Sequence, residues 1–311
     1  MRTLLLAERP FRDLRSRALL AELPGRLALD QPLIVLSPAP TWPAGFTAVP
    51  PETDPATLGA ARALIAGIHL ERQGFDRILA HAARAVSAGA RLELRHFSLD
   101  GGAVRPTPPE GIGILDAAQA IEVRDHFTAD ALMVWRVAAP LRIAPYPERV
   151  GEADATLAAE LPEGPVLGLS ILGGDRARSV WGRHLDLLRE RLALCRGWPV
   201  LPLPAEPVDG PMDDYTATLA FAEAVLPGSP VLLPRLADSV YRRRQLTVAR
   251  MRGLVARCRM VVASQDLPAA MAVGLGVPVL GIAMAPERRI SSCLATLANV
   301  LPPGSDLLML R

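Results

Sequence analysis

The sequence predicts an α/β protein of two Rossmann-like domains, each a doubly wound parallel sheet, facing one another across a cleft. Three observations lead there. A chain of 311 residues is too long for one ordinary core and suits two domains of ~150 residues each. Short apolar runs rich in β-branched residues alternate with helical patterns through both halves, as in parallel sheets covered by crossover helices. The third observation is the stretch from Arg250 to Ile290. It reads helix Val248–Cys258, strand Met260–Ala263, corner Ser264-Gln265-Asp266, helix Leu267–Leu275, turn Gly276-Val277-Pro278, strand Val279–Ala283 and corner Pro286-Glu287-Arg288-Arg289. Two buried strands that each end in a polar loop present a ligand crevice at the carboxyl edge of an open sheet.

The elements follow in order. Thr3–Ala7 reads as a strand, Ala18–Leu23 as a short helix and Leu33–Ser37 as a second strand. Pro38–Pro55 reads as a loop, because proline fixes φ and removes backbone donors. Ala63–Ile68 is a third strand, Gly74–Ala88 a long helix and Arg91–Ser98 a fourth strand, closed by the turn Asp100-Gly101-Gly102. Strands Ala117–Val123 and Leu141–Ala144 flank a helix over Thr128–Val134. The second half begins with strand Val166–Leu172, which runs into Gly173-Gly174-Asp175. Helix Trp181–Cys195, strand Val200–Pro204, helix Thr216–Leu226 capped by Asp213 or Asp214, and strand Val231–Pro234 lead into the stretch above. The domains are therefore residues 1–150 and 151–311, with the last helix, Ile290–Val300, a candidate to pack back on the first.

Composition narrows the function classes. Half of the residues are apolar and 21% are charged, as in a folded globular protein. A net charge of +2 argues against nucleic acid as a partner, since phosphate binding needs a basic face. The chain contains no lysine. That excludes a Walker-type phosphate loop, a pyridoxal Schiff base and a lysine nucleophile. Cys195, Cys258 and Cys293 lack zinc or redox spacing, and the last two fall in apolar helical patterns. His69, His81, His96, His126 and His184 form no cluster with acidic residues at metal spacing, so neither a metal nor another cofactor is expected. No run is long enough to span a membrane, and Thr3–Ala7 is too short for a signal-peptide core. The expected location is the cytoplasm. Peripheral membrane association is compatible with the sequence, although no long basic amphipathic helix demands it.

Two segments resemble the polysaccharide pyruvyl transferase family, which is GT-B-like in fold. The first is Ala120-Ile121-Glu122-Val123-Arg124-Asp125-His126-Phe127-Thr128-Ala129-Asp130-Ala131-Leu132, similar to the family's strand, Arg-Asp pair, Ser/Thr and helix. The second is Val166–Val300, with Asp213-Asp214 before a helix and the turn Gly276-Val277-Pro278, a tripeptide shared by many GT-B glycosyltransferases. The chain also departs from the family. Gln265-Asp266-Leu267 stands in place of the Arg-Leu-His signature, and Arg9-Pro10-Phe11-Arg12-Asp13-Leu14-Arg15 in place of the Asn-x-Gly-Asp loop. The glycine-rich turn after the third strand is reduced to Gly67-Ile68-His69.

The resemblance implies transfer of a pyruvyl group from phosphoenolpyruvate to a sugar of a cell-surface glycan, as in exopolysaccharide biosynthesis. Such a donor needs cations for its phosphate and carboxylate, a general acid for its methylene carbon and a base for the sugar hydroxyl. Arg176 and Arg178, after the strand end, are the candidate anion ligands, and Gly173-Gly174 permits close backbone approach to a phosphate. A solvated loop is the alternative for the two arginines, and a plain turn for the two glycines. His184, the sole histidine of the second half, is the candidate general acid or else a hydrogen-bonded structural histidine. Asp266 is either an N-cap or a carboxylate for a sugar hydroxyl, with Gln265 beside it toward the donor. Arg288 and Glu287 at the next corner are a phosphate or nucleotide contact and a cleft residue, or simply a charged helix start. Arg9, Arg12 and His69 would line the acceptor side, the acceptor being a glycan or a lipid-linked saccharide. Arg124-Asp125 reads as a salt bridge and N-cap, and Arg242-Arg243-Arg244 as a solvated surface run.

Two further readings stand beside pyruvyl transfer. The cleft and the Gly-Val-Pro turn suit a GT-B glycosyltransferase using a nucleotide sugar. The departures suit a binding or scaffold protein that has kept the fold and lost the chemistry.

Overall fold

The computed structural model describes residues 2–7, 32–36, 45–67, 70–101, 103–144, 146, 149, 151–205, 213–285 and 288–311. These form two compact units, one ending at residue 147 and the other running from residue 148 to the end.

The first unit is built on strands β1 (Thr3–Leu6), β2 (Leu33–Leu36), β3 (Phe46–Val49) and β4 (Arg62–Ile65), helix α1 (Arg72–Ser87), strands β5 (Arg91–Phe97) and β6 (Ala118–Val123), helix α2 (His126–Val134) and strand β7 (Leu141–Ile143). Its seven strands are all parallel, in the order β3-β2-β1-β4-β5-β6-β7. Leu4, Leu6, Ala63, Ile65, Leu92 and Leu94 turn to one face and are covered by Phe75, Ile78 and Leu79 of α1. Leu5, Leu33, Val35 and Leu64 form a smaller apolar layer on the other.

The run expected to be one loop contains β3, which pairs with β2 at the sheet edge. Proline flanks this strand at Pro50 and does not interrupt it, and an edge strand needs donors on one side only. Asp125 caps α2 by accepting the Thr128 N–H at 2.7 Å, so the helix starts at His126, before Thr128. Ala103 N–H donates to the Asp100 carbonyl at 2.9 Å, as a turn after β5 requires; Gly102 lies outside the described residues. The predicted helix at Ala18–Leu23 lies outside the described residues.

The second unit comprises β8 (Leu167–Ser170), α3 (Asp175–Gly182), α4 (Leu185–Arg191), β9 (Val200–Pro202), α5 (Asp214–Val225), α6 (Ser239–Gln245), α7 (Val248–Ala256), β10 (Met260–Ala263), α8 (Asp266–Gly274), β11 (Val279–Met284), α9 (Arg289–Thr296) and β12 (Asp306–Leu310). Its five strands are again parallel, in the order β12-β11-β10-β8-β9. Leu167, Leu169, Val262, Leu280 and Ile282 pack with Trp181, Leu188, Phe221 and Val225 of the covering helices. No helix among the described residues is long and apolar enough to cross a membrane.

Four expectations are corrected in this unit. The helix placed from Trp181 starts at Asp175 and breaks at Arg183-His184, giving α3 and α4. The strand placed at Val231–Pro234 is a single bridge from Val231 to Val200, because Leu233 takes φ 49 and Pro234 opens a short 3-10 turn. The Arg242-Arg243-Arg244 run lies in α6, and Arg242 is buried. The last helix ends at Thr296, followed by a 3-10 turn and the unanticipated strand β12; α9 packs on α8 and β11 of its own unit.

The segment leading into β8 is strapped to α7 and α8. Gly253 and Gly274 make this approach possible: a Cβ at either would collide with the backbone carbonyl of Asp154 or Arg149. Arg250 ion-pairs with Asp154 at 3.1 Å, and Arg252 donates to the Arg149 carbonyl at 2.9 Å.

Candidate functional site

In a parallel sheet the strand ends at the carboxyl edge carry the loops that meet ligands. At this edge of the second unit, side chains from behind hold the loop backbones. The chain leaves β8 through Ile171-Leu172-Gly173-Gly174. The Ile171 N–H donates to Thr218 Oγ1 of α5 at 3.1 Å, and the Leu172 N–H to Ser264 Oγ at 2.7 Å. The end of β9 is held in the same way, with the Ala205 N–H donating to Asp214 Oδ2 at 2.7 Å. That oxygen also accepts from Gln265 Nε2 at 2.9 Å. Asp214 therefore ties the end of β9 to the end of β10.

Its neighbour Asp213 is the N-cap of α5. It accepts from Thr216 N–H at 3.2 Å and from Thr216 Oγ1 at 2.9 Å. Its other oxygen takes Arg242 Nη2 at 2.7 Å. Arg242 also donates to the Leu236 carbonyl at 2.6 Å and lies 5.4 Å from the Tyr215 ring centroid. Charged hydrogen bonds of this kind are about twice as strong as neutral ones, and burial makes them necessary. Burial also pushes the Tyr215 hydroxyl above its ordinary pKa.

With these loops held, Gly174 forms the tip before α3. It adopts φ 103 and ψ 152, a region open essentially to glycine alone. The first N–H groups of α3 follow directly, and a helix start of this kind favours anions. Asp175 and Arg176, both exposed, share that first turn.

The structure assembles part of the set predicted from sequence. Gly173, Gly174 and Arg176 lie at the end of β8, with Gln265 at the end of β10 behind them. Gln265, not Asp266, occupies the N-cap position of α8, and Asp266 is its first helical residue; both side chains are fully buried. Arg288 is exposed beyond β11, where its carbonyl accepts from Ser291 Oγ at 3.0 Å. Arg178 points elsewhere. It lines a groove of about 440 Å³ with Trp181, Gly182, Leu185, Ala220 and Glu223. Ala220 and Glu223 lie roughly 9 and 14 Å along α5 from Asp214, at 1.5 Å per residue. His184 sits at the break between α3 and α4, half-buried, with Nε2 3.1 Å from the carbonyl of Arg311. Arg9, Arg12, His69 and Glu287 lie outside the described residues.

Sequence reasoning missed Thr218, Ser264, Asp214 and Arg242 as supports of this edge. The paired Asp213-Asp214 is the available signal, which the sequence offers as a helix cap and as part of the family resemblance.

No protein-family model matches the chain, and no curated protein matches it. Solved structures do. The α,α-trehalose-phosphate synthase (UDP-forming) from Burkholderia xenovorans, in complex with glucose-6-phosphate, superposes with a TM-score of 0.52 at 10% identity, covering 99% of this chain and 89% of that one. The corresponding synthase from Burkholderia vietnamiensis gives 0.52 at 11% identity, covering 99% and 86%. These are GT-B glycosyltransferases, and the likeness at this identity is one of fold. The chain has the GT-B-like fold class, with two Rossmann-like parallel-sheet units.

Proposed function

We propose that the chain is a glycosyltransferase that takes a nucleotide sugar as donor and a hydroxyl of a glycan or lipid-linked saccharide as acceptor. The observation that carries this reading is the end of β8. A buried network holds the strand ends, a glycine-only conformation forms the tip, and a helix start with Arg176 follows. Such an edge suits the diphosphate of a nucleotide sugar, which needs backbone donors and one or two cations. The fold shared with two UDP-forming synthases supports the same donor class.

Pyruvyl transfer from phosphoenolpyruvate is the weaker reading. The corner where that family carries arginine and histidine here holds Gln265, committed to Asp214, and Leu267, buried in the core. Neither supplies a cation or a proton.

The test is a thermal-shift panel of UDP-, GDP-, ADP- and CMP-sugars with phosphoenolpyruvate and inorganic phosphate. A bound donor at a hundred times its Kd stabilises by about 2.7 kcal/mol, a shift of several degrees. A rise with one nucleotide sugar is the expected result. A rise with phosphoenolpyruvate alone would restore pyruvyl transfer. Silence across the panel at millimolar concentration would overturn both and leave a binding or scaffold role.

A further inference from the structure

The outward face of α5 lacks the polar surface of a solvated helix. Tyr215, Thr218, Phe221, Ala222 and Val225 are its buried side. Opposite them, Ala217, Leu219, Ala220 and Ala224 are half-buried, and Thr216 and Glu223 are exposed. Glu223 is the only charged residue between Tyr215 and Leu226. A surface helix ordinarily sets charged and polar residues opposite its buried stripe. Here alanine and leucine take most of those positions.

This face forms one wall of the groove of about 440 Å³ that Arg178 lines. Trp181, Gly182 and Leu185 form the other wall. The space exists because the side chains around it are short. Gly182 has open room where a Cβ would sit, and Ala220 and Ala224 present single methyl groups. Trp181 is held from behind by Phe221, with ring centroids 5.5 Å apart in an edge-on contact. Arg189, beside Ala224, is committed to the Ala224 carbonyl at 3.1 and 2.9 Å and to Asp186. Ala217 and Leu219 share the outward face but lie outside the groove lining. The apolar surface therefore runs beyond what a small molecule in the groove would cover.

Two full charges line the groove, one of each sign. Arg178 and Glu223 are exposed, and neither side chain has a partner among the described residues. Within one chain they stand on opposite walls and form no pair. A twofold axis would bring them together. In an isologous interface, residue i of one copy meets residue j of the other, and j meets i. One unpaired cation and one unpaired anion on the same patch are thus self-complementary, and a second copy answers both.

We propose that the groove between α3 and α5 is the contact face of a twofold dimer, occupied by α5 of a second copy of this chain. Arg178 of each copy pairs with Glu223 of the other. The alanine faces of the two α5 helices meet between these pairs, where small side chains allow the short end of the helix-packing range. Removal of the apolar face from water drives the association, and the two charge pairs set its direction and register.

Sedimentation velocity on the full chain, from about 1 to 100 μM, tests this. The wild type is expected to form a dimer that weakens as salt screens the charge pairs. Arg178→Glu and Glu223→Arg each set like charges against one another twice per dimer. Each is expected to weaken the dimer about 10-fold or more. Arg178→Glu/Glu223→Arg makes every contact attractive again and is expected to restore it. Circular dichroism checks each variant for folding. Should a reversal fail to fold, cross-linking decides. The native cysteines are buried. Under copper-phenanthroline oxidation, a mixture of Arg178→Cys and Glu223→Cys proteins is therefore expected to form a disulfide-linked dimer that neither forms alone. A wild type that stays monomeric throughout overturns the proposal and leaves the groove to a small molecule or a different protein. A dimer indifferent to both single reversals, or one that the double variant does not restore, overturns it as well. So does a mixture that cross-links no better than its separate components.

Discussion

Arg242 and Asp213 form an ion pair at 2.7 Å with side chains only 2% and 9% exposed. The arginine belongs to α6, and the aspartate caps α5 directly ahead of Asp214, so the pair braces the support of the sheet's carboxyl edge. Removing one partner leaves a buried charge uncompensated, which costs about 3–5 kcal/mol. Arg242→Ala is expected to lower the urea midpoint of the second unit accordingly. Arg243→Ala, one residue on and exposed, is expected to leave it within about 0.5 kcal/mol. Equal midpoints for the two variants would refute a bracing role.

Glu122 gives the first unit a specific acid sensitivity. Burial raises its carboxyl, but the Arg142 hydrogen bond and the charges of His96, Arg142 and Arg95 outweigh burial and hold the folded-state pKa below the ordinary 4.5. A carboxylate with a depressed folded pKa contributes stability that is fully present above its unfolded value and is lost as pH falls through the folded one. The wild type is therefore expected to lose melting temperature below about pH 4.5. Glu122→Gln is expected to be less stable at neutral pH and to show a flatter decline below it. Parallel melting curves from pH 3 to pH 7 would remove Glu122 as the cause.

All three cysteines are buried, and burial raises the Cys258 thiol to about 12. The thiolate is the reactive species, so native protein at pH 8 is expected to resist Ellman's reagent. Addition of guanidinium should release all three thiols at once. Fast labelling of Cys258 in the native state would contradict the packing against Leu254, whose carbonyl lies 3.4 Å from its sulfur.

The strap across α7 and α8 depends on two missing side chains. Gly274→Ala and Gly253→Ala each place a methyl group against a carbonyl that cannot move without its strap. Overpacking of this kind costs about 1–3 kcal/mol, several degrees of melting temperature. Gly182→Ala, with open space at its Cβ position, is the control and should leave stability nearly unchanged. A Gly274→Ala protein as stable as that control would show that the strap is not docked as described.

Both sheets were legible because their central strands are unbroken apolar runs. Leu4-Leu5-Leu6, Val261-Val262-Ala263 and Val279–Met284 could be little else once flanked by helical patterns. β3 was hidden because Phe46–Val49 sits in a proline-rich stretch, where composition outweighed a β-rich tetrapeptide. Arg242 was hidden because three consecutive arginines look alike in sequence; helix phase alone turns one of them inward. The bulge between Leu94 and Phe97 in β5, where His96 takes φ 49, was invisible for a related reason. A bulge shifts alternation by one residue, and the pattern Leu92-x-Leu94-x-His96 gives no hint that the third member will face the other way. The glycines at the end of β8 were readable as a turn, but the hydroxyls and carboxylate that hold this edge come from Thr218, Ser264 and Asp214, far away in the chain.

The proposed donor site separates two arginines that the sequence could not tell apart. Arg176 lies in the first turn of α3, beside the Gly174 tip, whereas Arg178 lines the groove against the later turns of α5. A guanidinium at the edge can pair with a phosphate, and a charge-assisted hydrogen bond contributes about 1.5–3 kcal/mol. Arg176→Ala is therefore expected to weaken nucleotide-sugar binding by roughly 10- to 150-fold, and Arg178→Ala to leave it unchanged. Gly174→Ala probes the backbone. Its φ of 103 is closed to alanine, so the tip must move, at a cost of about 1–3 kcal/mol in stability and with loss of donor affinity. Titration calorimetry with the nucleotide sugar that stabilises the wild type reads all three variants. An Arg178→Ala defect as large as that of Arg176→Ala would move the site from the end of β8 to the groove on α5. Undiminished binding in Gly174→Ala would remove the tip from it.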